Sequence, residues 1–241
     1  MPKAYLEVDE VKKLEDAAEY LRDKLLIQLL FRLGCRISEA LGIEVDNIDF
    51  GQGTITIEHL KLRLNLSCPS CGVRLSKQAR FCPGCGIKVE KPVAKEREHR
   101  RVRTLPIDND TLEMLKEYID RGGPISHNGK QFLFGIDRHR AWQIVRDCAN
   151  RAGLPKLTYS ESGKEHGVSP HRLRDAFAIH AVKQDGSADG IRVLQEHLGH
   201  QSIATTMRYR KLSGEEHRRW LDKVFGGKEV SDARVGDSNH K

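Results

Sequence analysis

Four of the six cysteines stand in two copies of one pattern, Cys68-Pro-Ser-Cys71-Gly and Cys82-Pro-Gly-Cys85-Gly, with ten residues between Cys71 and Cys82. No other feature restricts the chain so tightly. A CxxC pair folds back on itself, and a glycine behind the second cysteine lets the backbone turn sharply. Two such turns can present four thiolates tetrahedrally to a Zn²⁺ ion. Two disulfides or a redox CxxC are the competing readings. A redox motif needs no doubling, and disulfides are rare inside cells. The spacing therefore predicts a structural Zn²⁺ on Cys68, Cys71, Cys82 and Cys85, with no coordination position left open for chemistry. Cys35 and Cys148 stand apart and read as buried apolar residues.

The stretch resembles a zinc ribbon, in which two CPxCG knuckles flank a short hairpin with an aromatic residue; Phe81 occupies that place. So small a module does not fold without its metal. It also carries the charge. The chain of 241 residues has a net charge of +7. Between Lys61 and Arg103 there are 12 Lys/Arg and 3 Asp/Glu, which leaves 29 bases and 31 acids for the rest. A basic block in an otherwise neutral chain points to a polyanion, most often nucleic acid. A solvated Lys-rich loop would look the same. No segment approaches the roughly 20 apolar residues of a membrane helix, and Met1 to Val11 is too charged for a signal peptide. The expectation is a cytoplasmic, DNA-associated protein.

The rest of the chain reads as mainly helical α+β. Val8 to Leu33 has the apolar spacing of two helices, the second ended by Gly34. Thr54–Glu58 alternates as a strand, and Arg101–Leu105 reads as its return. The cysteine module lies between them, as an insertion at a hairpin tip would. Helices are expected over Thr111–Arg121, Arg140–Ala152 and from Ser169 onward, with breaks at Asp185-Gly186 and Gly199. Glu215–Phe225 is amphipathic, and residues 226–241 are polar and Gly-rich, expected to be a disordered tail.

Three patterns in this body carry chemistry. In Gly34-Cys35-Arg36-Ile37-Ser38-Glu39, an arginine sits between apolar helices, where it is costly to bury unpaired. In Pro170-His171-Arg172-Leu173-Arg174, His171 and Arg174 share a helix face. Leu198-Gly199-His200 precedes a helix that Ser202 can cap and that carries Tyr209. Taken singly, each fits a structural role equally well: an Arg36–Glu39 pair, a basic helix face, a capped turn.

Taken in order, Arg36, His171-x-x-Arg174, Leu-Gly-His200 and Tyr209 resemble the catalytic domain of the tyrosine recombinases, the phage-integrase family. The resemblance runs from about Val8 to Tyr209 and is interrupted only by the cysteine module. It implies a site-specific DNA recombinase that cleaves and rejoins strands through a 3′-phosphotyrosyl intermediate, without a catalytic metal. Arg36 and Arg174 would clamp the phosphate, as the planar, permanently charged guanidinium suits its oxygens. His171 and His200 would donate hydrogen bonds or move protons. Tyr209 would be the nucleophile, and Glu39 would orient Arg36. The family's general acid is a hairpin lysine; Lys61 follows the first predicted strand and is preferred, with Lys95 the runner-up. Lys95, Arg97, Arg100, Arg101 and Arg103 are expected on DNA.

The resemblance divides the chain into a discontinuous catalytic domain, 1–61 and 95–225, and an inserted zinc ribbon, 62–94. Its partners would be double-stranded DNA and three further copies in a homotetramer on two sites. The family's N-terminal helical DNA-binding domain is expected to be absent here, with the basic ribbon supplying DNA grip or contacting protein instead. A type IB topoisomerase-like nicking-closing enzyme, or a DNA-binding protein without strand exchange, would share much of the pattern.

Overall fold

The computed structural model describes residues 3–76, 78–158 and 163–213, together with Val224. The centre of the fold is a helix that is apolar on nearly every side. Helix α1 spans Val8–Asp16 and α2 spans Leu21–Arg32. In α2, Leu25, Leu26, Ile27, Leu29 and Leu30 are all wholly buried. Burying each such side chain contributes about 2 kcal/mol. Helix α1, the one-turn α3 (Ile37–Ala40), α4 (Asn109–Asp120), α5 (Arg138–Arg151) and α6 (Pro170–Gln184) all pack on α2. The buried Gln28 donates from Nε2 to Thr111 Oγ1 at 2.9 Å, while its Oε1 is buried with no hydrogen-bond partner among the described residues. Cys35 and Cys148 are both fully buried, as expected of apolar cysteines.

Strand β1 (Ile48–Asp49) pairs with β2 (Thr54–Ser67), which pairs with β3 (Arg74–Leu75) and β4 (Val93–Pro106), all antiparallel. Two small hairpins, β5 (Ile125–His127) with β6 (Lys130–Phe132) and β7 (Leu157–Thr158) with β8 (Glu165–His166), lie apart. The architecture is mainly helical with small antiparallel sheets, as the sequence predicts.

The central hairpin is much longer than the two short strands expected. The ladder runs without interruption from Thr54↔Pro106 to Ser67↔Val93. Its root enters the core: Ile55 and Ile57 are wholly buried and Leu105 nearly so. Alternation runs on beyond the root, with Leu60, Leu62, Leu64 and Leu66 each between polar residues, so the pattern reaches well past the Thr54–Glu58 segment expected as strand. Lys61 therefore lies within β2, opposite His99, and does not follow the strand; Lys95 lies opposite Asn65. Residues 62–67 and 93–94, placed in the insert by sequence, are strand. The cysteine turns occupy the tip.

The C-terminal helices form a second apolar cluster. Helix α6 starts at Pro170, whose missing N–H costs nothing at a first helical turn. Helix α7 (Ala188–Leu198) is capped by Ser187, whose Oγ accepts from the Gly190 N–H at 3.0 Å. It ends at Gly199, with φ +65°. Helix α8 (Ile203–Ser213) packs on α6 and α7. Tyr209 belongs to this cluster, with Ile179, Val182, Leu194 and Leu198. The expected helix over 215–225 and tail over 226–241 lie outside the described residues, Val224 excepted. No described helix is long and apolar enough to cross a membrane.

Candidate functional site

Gly34 makes the first junction of the site. Its φ of +53° turns the chain between α2 and α3. A Cβ there would meet Phe177 Cδ1 at 2.5 Å and Leu198 Cδ2 at 2.9 Å. This close approach brings the Gly34 carbonyl against α6, where it accepts from Arg174 Nη1 at 2.5 Å. Two residues on, Arg36 is the N-cap of α3. Its Nη1 donates to Glu39 Oε1 at 2.8 Å, and its backbone N–H donates to Glu39 Oε2 at 2.9 Å.

Glu39 is gripped from a second side. Arg103 Nη2 donates to Glu39 Oε2 at 2.7 Å. The Glu39 side chain is 1% exposed. Burial alone would raise its pKa, but the bonds and charge of Arg103, with the bonds of Arg36, outweigh burial and hold it at about 2. Arg103 itself is only 13% exposed and lies against Gly199, where a Cβ would sit 2.9 Å from its Nη1. The sequence reading assigned Arg103 to DNA. The structure gives it an ion pair with buried Glu39 inside the site, because Arg103 pairs opposite Ile57 at the root of the ladder, where the sheet meets the core.

Arg174 is 2% exposed. Its Nη2 donates to the Leu198 carbonyl at 2.8 Å and meets His200 Nε2 at 3.0 Å. A guanidinium can only donate, so Nε2 accepts and the proton sits on Nδ1, which donates to Thr206 Oγ1 at 2.9 Å. Burial, then the charges of Arg174, Arg36, Arg103 and His171, push the His200 pKa down to about 4. The expected hydrogen-bond donor is thus a neutral imidazole with its Nε2 engaged. His200 is close enough to feel the charges of Arg174, Arg36, Arg103 and His171, and Arg174 those of Arg36 and Arg103.

Tyr209 lies on α8 with its ring stacked 6.1 Å from that of His200. It is 7% exposed, and its hydroxyl donates to Asp175 Oδ1 at 3.1 Å. Burial and Asp175 hold the phenol above the usual tyrosine range, against the partial opposition of Arg174. His171 is 67% exposed, with Nε2 3.7 Å from Asp175 Oδ1. It borders a cleft of about 510 Å³ lined also by Ile37, Arg138, His139 and Trp142.

The phage integrase family profile matches residues 4–216. The chain belongs to the phage integrase family. Among relatives of this family, it is similar to the tyrosine recombinase XerD of Mycobacterium tuberculosis, 30% identical over 227 residues, covering 87% of this chain and 56% of that protein. It is also similar to the tyrosine recombinase XerA of Pyrococcus furiosus, 25% identical over 244 residues, covering 94% of this chain and 65% of that one. The chain thus spans between half and two thirds of these relatives. Among solved structures, a XerA recombinase superposes with a TM-score of 0.60 at 20% identity, over 94% of this chain and 65% of that chain. A XerH recombinase bound to a palindromic difH substrate superposes with a TM-score of 0.57 at 20% identity, over 93% and 54%. These likenesses show the integrase fold.

A second site sits at the hairpin tip. The Sγ atoms of Cys68, Cys71, Cys82 and Cys85 all lie within 4.8 Å of one another. Cys68–Cys85 is 3.6 Å and Cys71–Cys82 is 3.4 Å. A disulfide needs about 2.05 Å, and all four are free thiols. Sulfurs about 2.3 Å from a common tetrahedral zinc would be separated by about 3.8 Å, close to the closest pairs here. The two turns repeat each other: Gly72 N–H donates to Cys68 O and Gly86 N–H to Cys82 O, each at 3.0 Å. Cys68 N–H donates to Val73 O and Cys82 N–H to Ile87 O, each at 2.9 Å. Gly72 and Gly86, at φ +73° and +72°, make this geometry possible. The cluster can hold a metal ion.

The side chains of Lys61, Lys95, Arg97, Arg100 and Arg101 lie outside the described residues. Sequence reasoning missed Asp175, its ion-pair partner Arg172 (Nη1 to Oδ2, 3.1 Å), and Thr206. Asp175 had a signal, since it stands four residues after His171 and so on the same helix face. Thr206 had none, because its role depends on where α8 meets the turn at His200.

Proposed function

We propose that this protein is a site-specific DNA recombinase that breaks and rejoins strands through a phosphotyrosine. The observation that carries the reading is the convergence of Arg36, Arg174, His200 and Tyr209, from four separate stretches of chain, on one locus beside the exposed His171. Tyr209 Oη attacks the scissile phosphorus and loses its proton. The bond from phosphorus to the 5′-oxygen breaks, and that oxygen takes up a proton. Arg36 and Arg174 neutralise the charge that grows on the phosphoryl oxygens. Buried Glu39 keeps Arg36 oriented, and Arg103 shares the grip. Attack by a second 5′-hydroxyl reverses the step, so no nucleotide or metal is consumed.

Lys61 is proposed as the proton donor to the 5′-oxygen. Arg103 marks the site's level on the ladder, opposite Ile57. Position 61 is four residues from Ile57 and position 65, level with Lys95, is eight; at about 3.3 Å per residue that is about 13 Å against about 26 Å.

The four thiolates are proposed to hold a structural Zn²⁺ that ties the tip together and takes no part in strand transfer. The tip is proposed as a DNA grip. Exposed Arg74, Arg80, Lys88 and Lys91 surround it, and ten strand residues beyond Ile57 extend about 33 Å. Double-stranded DNA is the proposed partner, with a tetramer as the assembled form and a soluble, DNA-associated location.

The test is covalent capture on nicked duplexes. The parent should form a denaturation-resistant protein–DNA adduct that Tyr209→Phe abolishes. Strand transfer between two duplexes should follow. No adduct would leave a DNA-binding protein, and resealing without exchange would leave a nicking-closing enzyme.

A further inference from the structure

The contact between Asp175 and Tyr209 has no place in the cleavage scheme above. Asp175 Oδ1 accepts the Tyr209 hydroxyl at 3.1 Å. Asp175 Oδ2 is held by Arg172 Nη1 at 3.1 Å. Both residues of that ion pair are 8% exposed. The tyrosine belongs to the apolar cluster formed with α6 and α7, and its ring is stacked on His200. The hydroxyl is therefore turned into the protein, not offered to a phosphate.

Two roles fit a carboxylate that accepts the nucleophile's proton. It can take the proton during attack, or it can keep the proton where it is. The chemistry favours the second. Arg172 stabilises the ionised carboxylate. Moving a proton from a phenol of ordinary pKa near 10 to a carboxylate of ordinary pKa near 3.9 is about a million-fold uphill. A phenolate formed 3.1 Å from Asp175 would face an anion. The pair is stable with the proton on Tyr209.

We propose that Asp175 is a positioning residue that holds the Tyr209 hydroxyl protonated and inward until docked DNA draws it out. This rests on the reading of Tyr209 as nucleophile. Release exchanges one anion for another: the phenol leaves the Asp175 carboxylate for the neighbourhood of a phosphate clamped by Arg36 and Arg174. Without a phosphate, nothing on the clamp side competes for the hydroxyl. A recombinase benefits from such a hold because an idle nucleophile does not nick DNA it merely touches.

The raised ionisation of Tyr209 is in keeping with the hold. The charged and titratable groups around it are His171, Arg172, Arg174 and Asp175 on α6, His200 after α7 and Arg208 on α8. Of these, Asp175 is the anion.

The experiment uses the full chain, with Asp175→Asn and Asp175→Ser, and a pool of nicked duplexes of randomised sequence as the probe. Both variants should form the covalent adduct faster than the parent, by roughly tenfold, the scale of a hydrogen bond to a charged acceptor. Slower or unchanged capture by both overturns the hold; abolished capture makes Asp175 the proton acceptor instead. A second readout needs no DNA and no variant: carbon NMR of ring-labelled Tyr209 in the parent. The phenol should stay protonated well beyond the ordinary tyrosine range, and Asp175→Asn should bring it back toward that range. Ordinary titration in the parent overturns the proposal. Asp175→Asn with Tyr209→Phe separates the two readings. An adduct that persists there removes Tyr209 as nucleophile, and the NMR titration still decides whether Asp175 holds it.

Discussion

Arg174 Nη2 donates to His200 Nε2 across 3.0 Å, and burial together with this cationic neighbour keeps the imidazole neutral. A protonated His200 would need a proton on both nitrogens, and one of them already faces a guanidinium donor. Its pKa falls from 6.5 to about 4 in the folded protein. Between those values the unfolded chain binds a proton that the folded chain refuses. Stability contributed by His200 is therefore complete above pH 6.5 and is lost as pH falls toward 4. Urea unfolding at pH 7 and pH 5 should show a loss for the parent that shrinks in His200→Gln.

Glu39 should be the most expensive single charge to remove. It is buried between Arg36 and Arg103, and its deletion strands two half-buried cations. Removing one partner of a buried pair costs about 3–5 kcal/mol. Glu39→Ala should lower stability by that order and cut covalent capture with it. Because its pKa is lowered to about 2, its contribution is present above pH 4.5 and lost only as pH falls toward 2. Acid titration of Glu39→Gln against the parent should differ in that low window.

Gly34→Ala tests the junction that brings Arg36 to Arg174. A Cβ at φ +53° is strained and would collide with Phe177 on α6. Left-handed strain of about 1–2 kcal/mol adds to overpacking of about 1–3 kcal/mol. Thermal or urea unfolding should register a loss of about 2–5 kcal/mol, and DNA cleavage should fall further than the change in folded fraction explains.

Metal removal should be local. Cys68, Leu75 and Cys82 form an apolar cluster of their own with Leu66, Ala79 and Val89, separate from the core around α2. Elemental analysis should find one zinc per chain. A strong chelator should release it, leave the helical circular-dichroism signal near that of the parent, and weaken binding to duplex DNA at moderate salt. Unaltered DNA affinity would assign the tip to protein contacts.

Lys61 and Lys95 are separable with a leaving group that needs no acid. Lys61→Ala should slow cleavage by about 10²- to 10⁴-fold, the range of general acid catalysis. A 5′-thiolate leaving group should restore it. Lys95→Ala should respond little to that substitution. The reverse pattern would exchange their roles.

The chemistry of this protein was legible because its signals are local or ordered along the chain. CPxCG turns, the i,i+3 pairing of His171 with Arg174 and the Leu-Gly-His200 break are short-range features, and they pointed to the four-cysteine cluster, the family and the candidate site residues. The long β2 was legible too, since Leu60, Leu62, Leu64 and Leu66 alternate with polar residues beyond Ile55 and Ile57; its partner β4, rich in Arg, Lys and Glu, carries no such apolar alternation between Lys95 and Arg101.

What tertiary structure alone decided are the pairings between distant positions. Glu39 meets Arg103 across 64 residues because β4 pairs with β2 in a register that puts Arg103 opposite Ile57. Tyr209 meets Asp175 across 34 residues because α8 packs on α6. Residue type made these partners chemically suitable; packing chose which suitable partner each received. The sequence thus determined which groups this protein has for the proposed phosphoryl transfer and metal binding. The fold determined that Arg103 grips the buried Glu39, and that the expected nucleophile rests against a carboxylate.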